Sequence, residues 1–450
     1  MMRALAIALL ATVSLSACAS MAPTYERPAL PVAQAWPNGV QDGAASAGDL
    51  AWREVFEDTR LQQVIALALT QNRDLRVAVA NIEKARAQYR VQRANLFPAV
   101  NVGLSESRAR VPAGVSQFGG PLDTDQYNAS VGVSGYELDL FGRVRSLSQA
   151  ALQTFFSVEE NRRAAQISLI AEVATDYLAL ATDQDQLKLA RDTQKSRDDA
   201  LTLTRKRFEG GATSQLDVRQ AETLAEQART DAATLAAQVE QDRNALRLVV
   251  GAEVPADLMP ATGLETIRLR ADLPAGLPAE VLTRRPDVLS AEHVLQGENA
   301  NIGAARAAFF PRITLTGAVG SASTDLVGLF GAGTGAWSFA PQISLPIFNG
   351  GANKANLAGA RASRDVAVAQ YEKAIQTAFR EVADALAVQA TIRERIASQE
   401  RLVAAAADTQ RLSQARYDRG VDSYLSLLDA QRTFYGAQQT LLNTRFAAAT

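Results

Sequence analysis

From Val144 to Phe208 the chain contains neither proline nor glycine. These two residues are the strongest local breaks in secondary structure. Without them, about 60 residues can run as one helix, roughly 90–100 Å long at 1.5 Å per residue. Such a length exceeds globular norms and calls for a coiled coil or a tube of helices. Ala, Leu, Gln, Arg, Glu and Asp dominate these stretches, and aromatics make up only 6% of the chain. The apolar stripes are therefore narrow and Ala-rich, and each helix needs neighbours on both sides.

The run ends at Gly210-Gly211, and a return helix is expected from Ser214 to about Val250. Gly211 can take φ > 0 to stop one helix, and Ser214 can cap the next. The same tip recurs at Gly420 and Ser423, between a second long helix (about Ala352 to Asp418) and a final one. Arg207/Arg416, Phe208/Tyr417, Gly211/Gly420, Ser214/Ser423, Leu216/Leu425 and Ala221/Ala430 share one offset, 420 − 211 = 209. Asp74/Asp287 and Pro98/Pro311 share 287 − 74 = 213, and Phe141/Phe348 differ by 207. Several anchors at nearly equal offsets identify an internal duplication.

Between the helices of each copy the apolar period switches from three or four to two. Val100, Val102 and Leu104 alternate with Asn101, Gly103 and Ser105; Tyr127, Ala129, Val131 and Val133 follow after a loop at Val111–Asp125. Ile313, Leu315 and Val319, then Trp337, Phe339, Ile343 and Leu345, repeat the pattern around a loop at Gly328–Gly335. These predict four strands of about 8–11 residues with one apolar face, long enough to cross an outer membrane when tilted. Four strands cannot close a barrel, and lipid does not tolerate open edges. The chain must therefore oligomerise, and three copies give twelve strands. The competing reading is a soluble four-stranded sheet packed on helices.

Arg3, the short apolar run Ala4–Ser14 and Leu15-Ser16-Ala17-Cys18 form a secretory signal, too short to span a bilayer. Cys18 is the only cysteine, and it falls where a bacterial lipoprotein box puts the lipidated first residue; an ordinary signal with an incidental Cys is the alternative. No other stretch reads as apolar enough for a transmembrane helix. Prolines 23, 28, 31 and 37 predict an extended tether. A formal net charge of −2 does not suggest a nucleic-acid partner. With one Cys and one His, and no nucleophile set or phosphate loop, neither enzyme chemistry nor a metal or other cofactor is expected. His293 reads as structural. The order is then signal 1–17, tether 18–50, first helical segment 51–98, strand pair 99–137, long hairpin 138–251, linker and helices 252–311, strand pair 312–346 and second hairpin 347–450.

Leu15-Ser16-Ala17-Cys18, Leu96-Phe97-Pro98, Tyr136-Glu137-Leu138-Asp139-Leu140-Phe141-Gly142, Leu282-Thr283-Arg284-Arg285-Pro286-Asp287, Phe309-Phe310-Pro311, Leu345-Pro346-Ile347-Phe348-Asn349-Gly350-Gly351 and the tip Arg416–Arg432 occur in order along nearly the whole chain. In these the chain resembles the outer-membrane factor family, the channel lipoproteins of Gram-negative tripartite efflux systems. The resemblance implies a homotrimer with a twelve-stranded outer-membrane β-barrel continuous with a long periplasmic α-barrel. It implies acylation of Cys18 and residence among outer-membrane lipid. Its partners would be a periplasmic adaptor (membrane fusion) protein and an inner-membrane pump of the resistance–nodulation–division (RND) type. The implied role is a passive exit duct for drugs, closed at its periplasmic end and opened by adaptor docking.

In similar channels the helix after the second tip narrows the entrance with a Leu, an Asp one turn on and a nearby Arg. These match Leu425, Asp429 and Arg432, with Arg432 able to pair with Asp429 within or between subunits. Three-fold symmetry would make a Leu ring that resists wetting and an Asp ring that favours cations. The bland alternative is a solvated pair on a helix surface. The first copy has Gln220 where the second has Asp429. The turns themselves, with Gly210, Gly211, Thr213 and Ser214 in one copy and Gly420, Val421 and Ser423 in the other, would face the adaptor. A secretion duct for proteins and a non-pore coiled-coil lipoprotein remain as competing functions. By the 209 offset Thr450 matches Gln241, so the second copy shows no counterpart of Leu246–Gly251: either the chain continues or the closing turns are missing.

Overall fold

The computed structural model describes residues 20–33, 35–37, 50–116, 119–260, 263–270 and 282–450. The signal, Cys18 and much of the expected tether lie outside them. The helices are α1 (Thr59–Gln71), α2 (Arg73–Ala94), α3 (Arg143–Glu209), α4 (Gln215–Val250), α5 (Pro286–Ala307), α6 (Ala352–Asp418) and α7 (Tyr424–Ala449). The strands are β1 (Val100–Val111), β2 (Leu122–Leu138), β3 (Arg312–Ser323) and β4 (Gly335–Ser344). The long helices α3 and α6 have 67 residues each, about 100 Å at 1.5 Å per residue. Helix–strand–strand–helix–helix thus occurs twice, as the offsets require.

The chain divides into two compact units. One holds the described residues among 20–30, 80–161 and 287–374, and its centre is an antiparallel sheet in the order β1-β2-β3-β4. Register explains the alternation. Val102 pairs with Val131, Val131 with Val319 and Val319 with Trp337, so one apolar row crosses all four strands. Val100, Val133, Gly317 and Phe339 form the next row on that face. The opposite face carries Gly103, Ser130, Gly320 and Ala336 in register. On the apolar face Val102 is 82% exposed and Trp337 80%. A soluble protein would cover such rows; here nothing among the described residues does. The expected strand lengths are corrected for β2, which has 17 residues and starts at Leu122, inside the expected loop. After Leu122 its first residues are Asp123, Thr124 and Asp125, set against Arg108–Arg110, so no apolar alternation marks them.

The motif from Tyr136 to Gly142 joins sheet to helix. The Glu137 carboxylate accepts two 2.8 Å bonds from Arg143 and lies 2.6 Å from Arg312 Nε. Asp139 caps α3 by accepting from the backbone N–H groups of Val144 and Arg145. Phe141 stacks on Phe310 at 4.8 Å, and the Tyr136 hydroxyl donates to the Leu96 carbonyl. Residues 20–30 lie along α5: Arg27 makes a bidentate pair at 2.8 Å with buried Glu292, to which Tyr25 also donates. His293 is held by Gln153 at 2.7 Å and packs on Phe156.

The second unit holds the described residues among 31–79, 162–286 and 375–450. Its core is filled by Leu61, Val64 and Ile65 of α1, Leu169, Val173, Tyr177 and Leu180 of α3, and Val239, Leu246 and Val250 of α4. Asn72 separates α1 from α2, accepting from Leu75 N–H while donating to the Val249 carbonyl at 2.6 Å. Gly251 ends α4 at φ 75°, where a Cβ would lie 2.6 Å from the Gln71 carbonyl oxygen. One expectation needs correcting here: a stretch of α3 is by length and composition apolar enough to cross a membrane. Its core-facing residues explain that apolarity without lipid. Nearby, Asp183 of α3 faces Asp242 of α4, whose Oδ2 is buried without a hydrogen-bond partner among the described residues. Burial and the second carboxylate push Asp183 up to about 7.

Candidate functional site

Both hairpin tips close with the same backbone bonds. Gly211 N–H donates to the Phe208 carbonyl and Ala212 N–H to the Arg207 carbonyl; 209 residues on, Gly420 donates to Tyr417 and Val421 to Arg416. The five-residue reach of the second bond, with glycine at φ 73° and 71°, is a Schellman stop in each copy. Gly210 donates to the Lys206 carbonyl and is exposed with the rest of the turn.

The helix starts differ. Ser214 caps α4, accepting from Asp217 N–H while Asp217 accepts from Ser214 N–H, a complete capping box. Thr213 adds a 2.7 Å bond to the same carboxylate. Ser423 makes no such cap, contrary to expectation. The Ser426 N–H donates instead to the Ser423 carbonyl at 3.2 Å, and where position 217 is Asp its counterpart 426 is Ser, with the two hydroxyls 3.4 Å apart. An acid can return a bond to the cap backbone, and here no acid is available. The second turn is instead tied by Arg416, whose guanidinium contacts Asp422 at 2.5 and 2.9 Å. That pairing holds the Asp422 carboxyl below its ordinary range.

The hairpins are joined to each other by side chains with no sequence signal. Arg207 Nη2 donates to Asp418 Oδ1 at 3.1 Å, and its guanidinium lies 5.3 Å from the Tyr417 ring centre. Tyr417 packs on Tyr424 at 5.2 Å. Beneath them Leu201, Leu224, Ala225, Tyr424, Leu427 and Leu428 make a small core.

That core fixes which face of α7 is free. Tyr424, Leu427, Leu428, Ala430 and Gln431 are buried, so Leu425, Asp429 and Arg432 line the exposed face, four and three residues apart. Leu425 is 60% exposed, and Val421 in the turn 62%. The expected Asp429–Arg432 ion pair does not form within the chain, among the described residues. What sits beside Arg432 is Arg197 of α3, a buried guanidinium with no carboxylate partner among the described residues. Burial, with the neighbouring charge of Arg432, lowers its pKa, although the Tyr424 hydroxyl works the other way. Gln431 Oε1, also buried, has no hydrogen-bond partner among the described residues. The face thus combines an apolar side chain, an exposed carboxylate and an exposed guanidinium with a second one buried behind it, a set able to repel like charge and resist wetting.

The outer membrane efflux protein family matches residues 64–252 and 277–450. The toluene efflux pump outer membrane protein TtgC of Pseudomonas putida is 49% identical over 436 residues, covering 96% of this chain and 90% of that protein. Among solved structures, a membrane protein from Pseudomonas aeruginosa superimposes with a TM-score of 0.90 at 43% identity, covering 96% and 98% of the two chains. The open state of the Neisseria gonorrhoeae MtrE outer membrane channel gives 0.86 at 42% identity, covering 96% of each.

Proposed function

The chain belongs to the outer membrane efflux protein family, and from that premise we propose that three copies form the passive exit duct of a tripartite pump. The observation that carries this reading is the sheet: four strands, one continuous apolar face and two unpaired edges. Edges cannot stay open in lipid, so β4 of one copy pairs with β1 of the next and three copies close a barrel of twelve strands. The helices continue it as a water-filled tube. The lipid on Cys18 anchors each subunit, and no cofactor takes part. The partners are a periplasmic adaptor and an inner-membrane pump of the RND type.

The tips work as two parts. The turns Gly210–Ser214 and Gly420–Ser423 dock the adaptor. The α7 face with Leu425, Asp429 and Arg432 narrows the pore, and a ring of Asp429 carboxylates selects cations. Arg432 stays available to a neighbouring subunit because it is paired with no acid among the described residues of its own chain. The test is conductance in planar bilayers. Asp429→Ala and Leu425→Ala should each raise it, and unchanged conductance in both sinks the gate assignment. In cells lacking other exit ducts, the wild-type chain should restore drug efflux. Valine at both Gly211 and Gly420 should abolish efflux while trimers persist; wild-type efflux from that variant refutes the docking role.

A further inference from the structure

Beside the start of β3 lies an apolar cleft of about 520 Å³, lined by Met21, Ala22, Phe309, Phe310 and Leu357 with Ser20 and Arg306. Its volume is that of an ordinary small-ligand site. Phe309 and Phe310 are 43% and 41% exposed, unusual for adjacent aromatics in water. They are not loose: Phe310 is fixed by its stack on Phe141.

The chain that forms the other wall is also fixed. Arg306 donates to the Met21 carbonyl at 3.1 Å, and Asn299 to the Pro23 carbonyl at 2.7 Å. Ala22 is seated so closely on α5 that a Cβ on Gly303 would come within 2.6 Å of its nitrogen. Ser20, in the cleft wall, is two residues from Cys18, a span of at most about 7 Å. An acyl chain on Cys18 is therefore within reach of this cleft and needs apolar surface from its first carbons. The cleft adjoins the sheet end where β1 and β3 begin and β2 and β4 finish, the rim of the apolar rows.

We propose that this cleft holds an acyl chain carried by Cys18, so that the lipid is seated against its own subunit before it enters the bilayer. The proposal rests on Cys18 being acylated. Cells expressing the full chain are fed a palmitate analogue bearing a diazirine, irradiated, and the purified protein is digested for mass spectrometry. The expected result is label on the Cys18 peptide and cross-links from it to the peptides containing Phe309–Phe310 or Leu357. Leu357→Asp should lose those cross-links while keeping label and trimer. Label on Cys18 with cross-links only to strands or phospholipid overturns the cleft and leaves acylation standing. Absence of label on Cys18 overturns both. Equal cross-linking at Phe309–Phe310 in a Cys18→Ser chain exported by a cleavable signal assigns the cleft to free phospholipid and also overturns the proposal.

Discussion

Removing Arg207 should open the tip. Arg207→Ala deletes one ion pair at 3.1 Å and one cation–π contact at 5.3 Å between the hairpins of a single chain. The partners are partly exposed, 30% and 44% for the side chains, so the ion pair is worth about 0.2–1 kcal/mol. The cation–π contact adds about 0.5–1 kcal/mol. Together they hold each chain's tips by about 0.7–2 kcal/mol, a factor of roughly 3–30 in a two-state equilibrium. If three subunits open in concert, the effect is on the order of 10–10⁴ in open probability. Single-channel recording in planar bilayers measures this directly, and susceptibility to an antibiotic too large for an intact outer membrane reports it in cells. The Asp418→Ala channel should show a smaller increase because it keeps the ring contact. The double variant should resemble Arg207→Ala alone, since the two act through one pair. Salt offers a second control: at about 1 M the Debye length is near 3 Å, so raising salt should open the wild type more than Arg207→Ala. Wild-type open probability in Arg207→Ala, with Asp429→Ala still raising conductance, would refute any role of this bridge in closure.

Three further outcomes follow from the same contacts. Ser426→Asp should rebuild in the second tip the capping box present in the first, stabilising that helix start by about 1 kcal/mol and slowing amide exchange at residues 424–426 roughly fivefold. Glu137→Gln leaves Arg143 and Arg312 facing a neutral amide at a site only 10% exposed, and should cost about 2 kcal/mol, read as earlier loss of trimer on heating. Asp183 has its folded pKa raised from 3.8 to about 7, so between those values the folded chain holds a proton that the unfolded chain has released. Stability therefore falls as pH rises from about 4 to 7 and levels above it; thermal melts of Asp183→Asn should be flatter over that window, and equal slopes would remove the carboxyl pair as the cause.

Much of this was readable before any coordinates. The absence of Pro and Gly between Val144 and Phe208 predicts α3, and the 209-residue offset predicts that two tips share one set of backbone bonds, because Schellman stops depend on a glycine and local chain geometry. Alternation found the apolar rows of the sheet but not the first residues of β2, where Asp123 and Asp125 face Arg110 and Arg108 of β1 and charge replaces the apolar period. Ser423 does not cap because the Ser426 N–H donates to its carbonyl instead of its hydroxyl, and no acid at position 426 returns the bond that Asp217 gives Ser214, a difference that Ser423 read singly does not show. The Arg207–Asp418 bridge and the placing of Arg197 beside Arg432 join residues more than 200 positions apart. Neither has a local pattern; both exist only once two helical hairpins lie side by side.

The unpaired edges of β1 and β4 have a genetic consequence. Each subunit must give one edge and receive another, so the interface is head-to-tail and the ring has no spare partner. A chain with a ruined β1 edge, for instance proline at Val102, would still offer a sound β4 edge and enter rings it cannot complete. Expressed at equal levels with the wild type, it should leave roughly one-eighth of the rings intact under random mixing. A lesion of this kind would behave as dominant, whereas a chain missing altogether would be recessive.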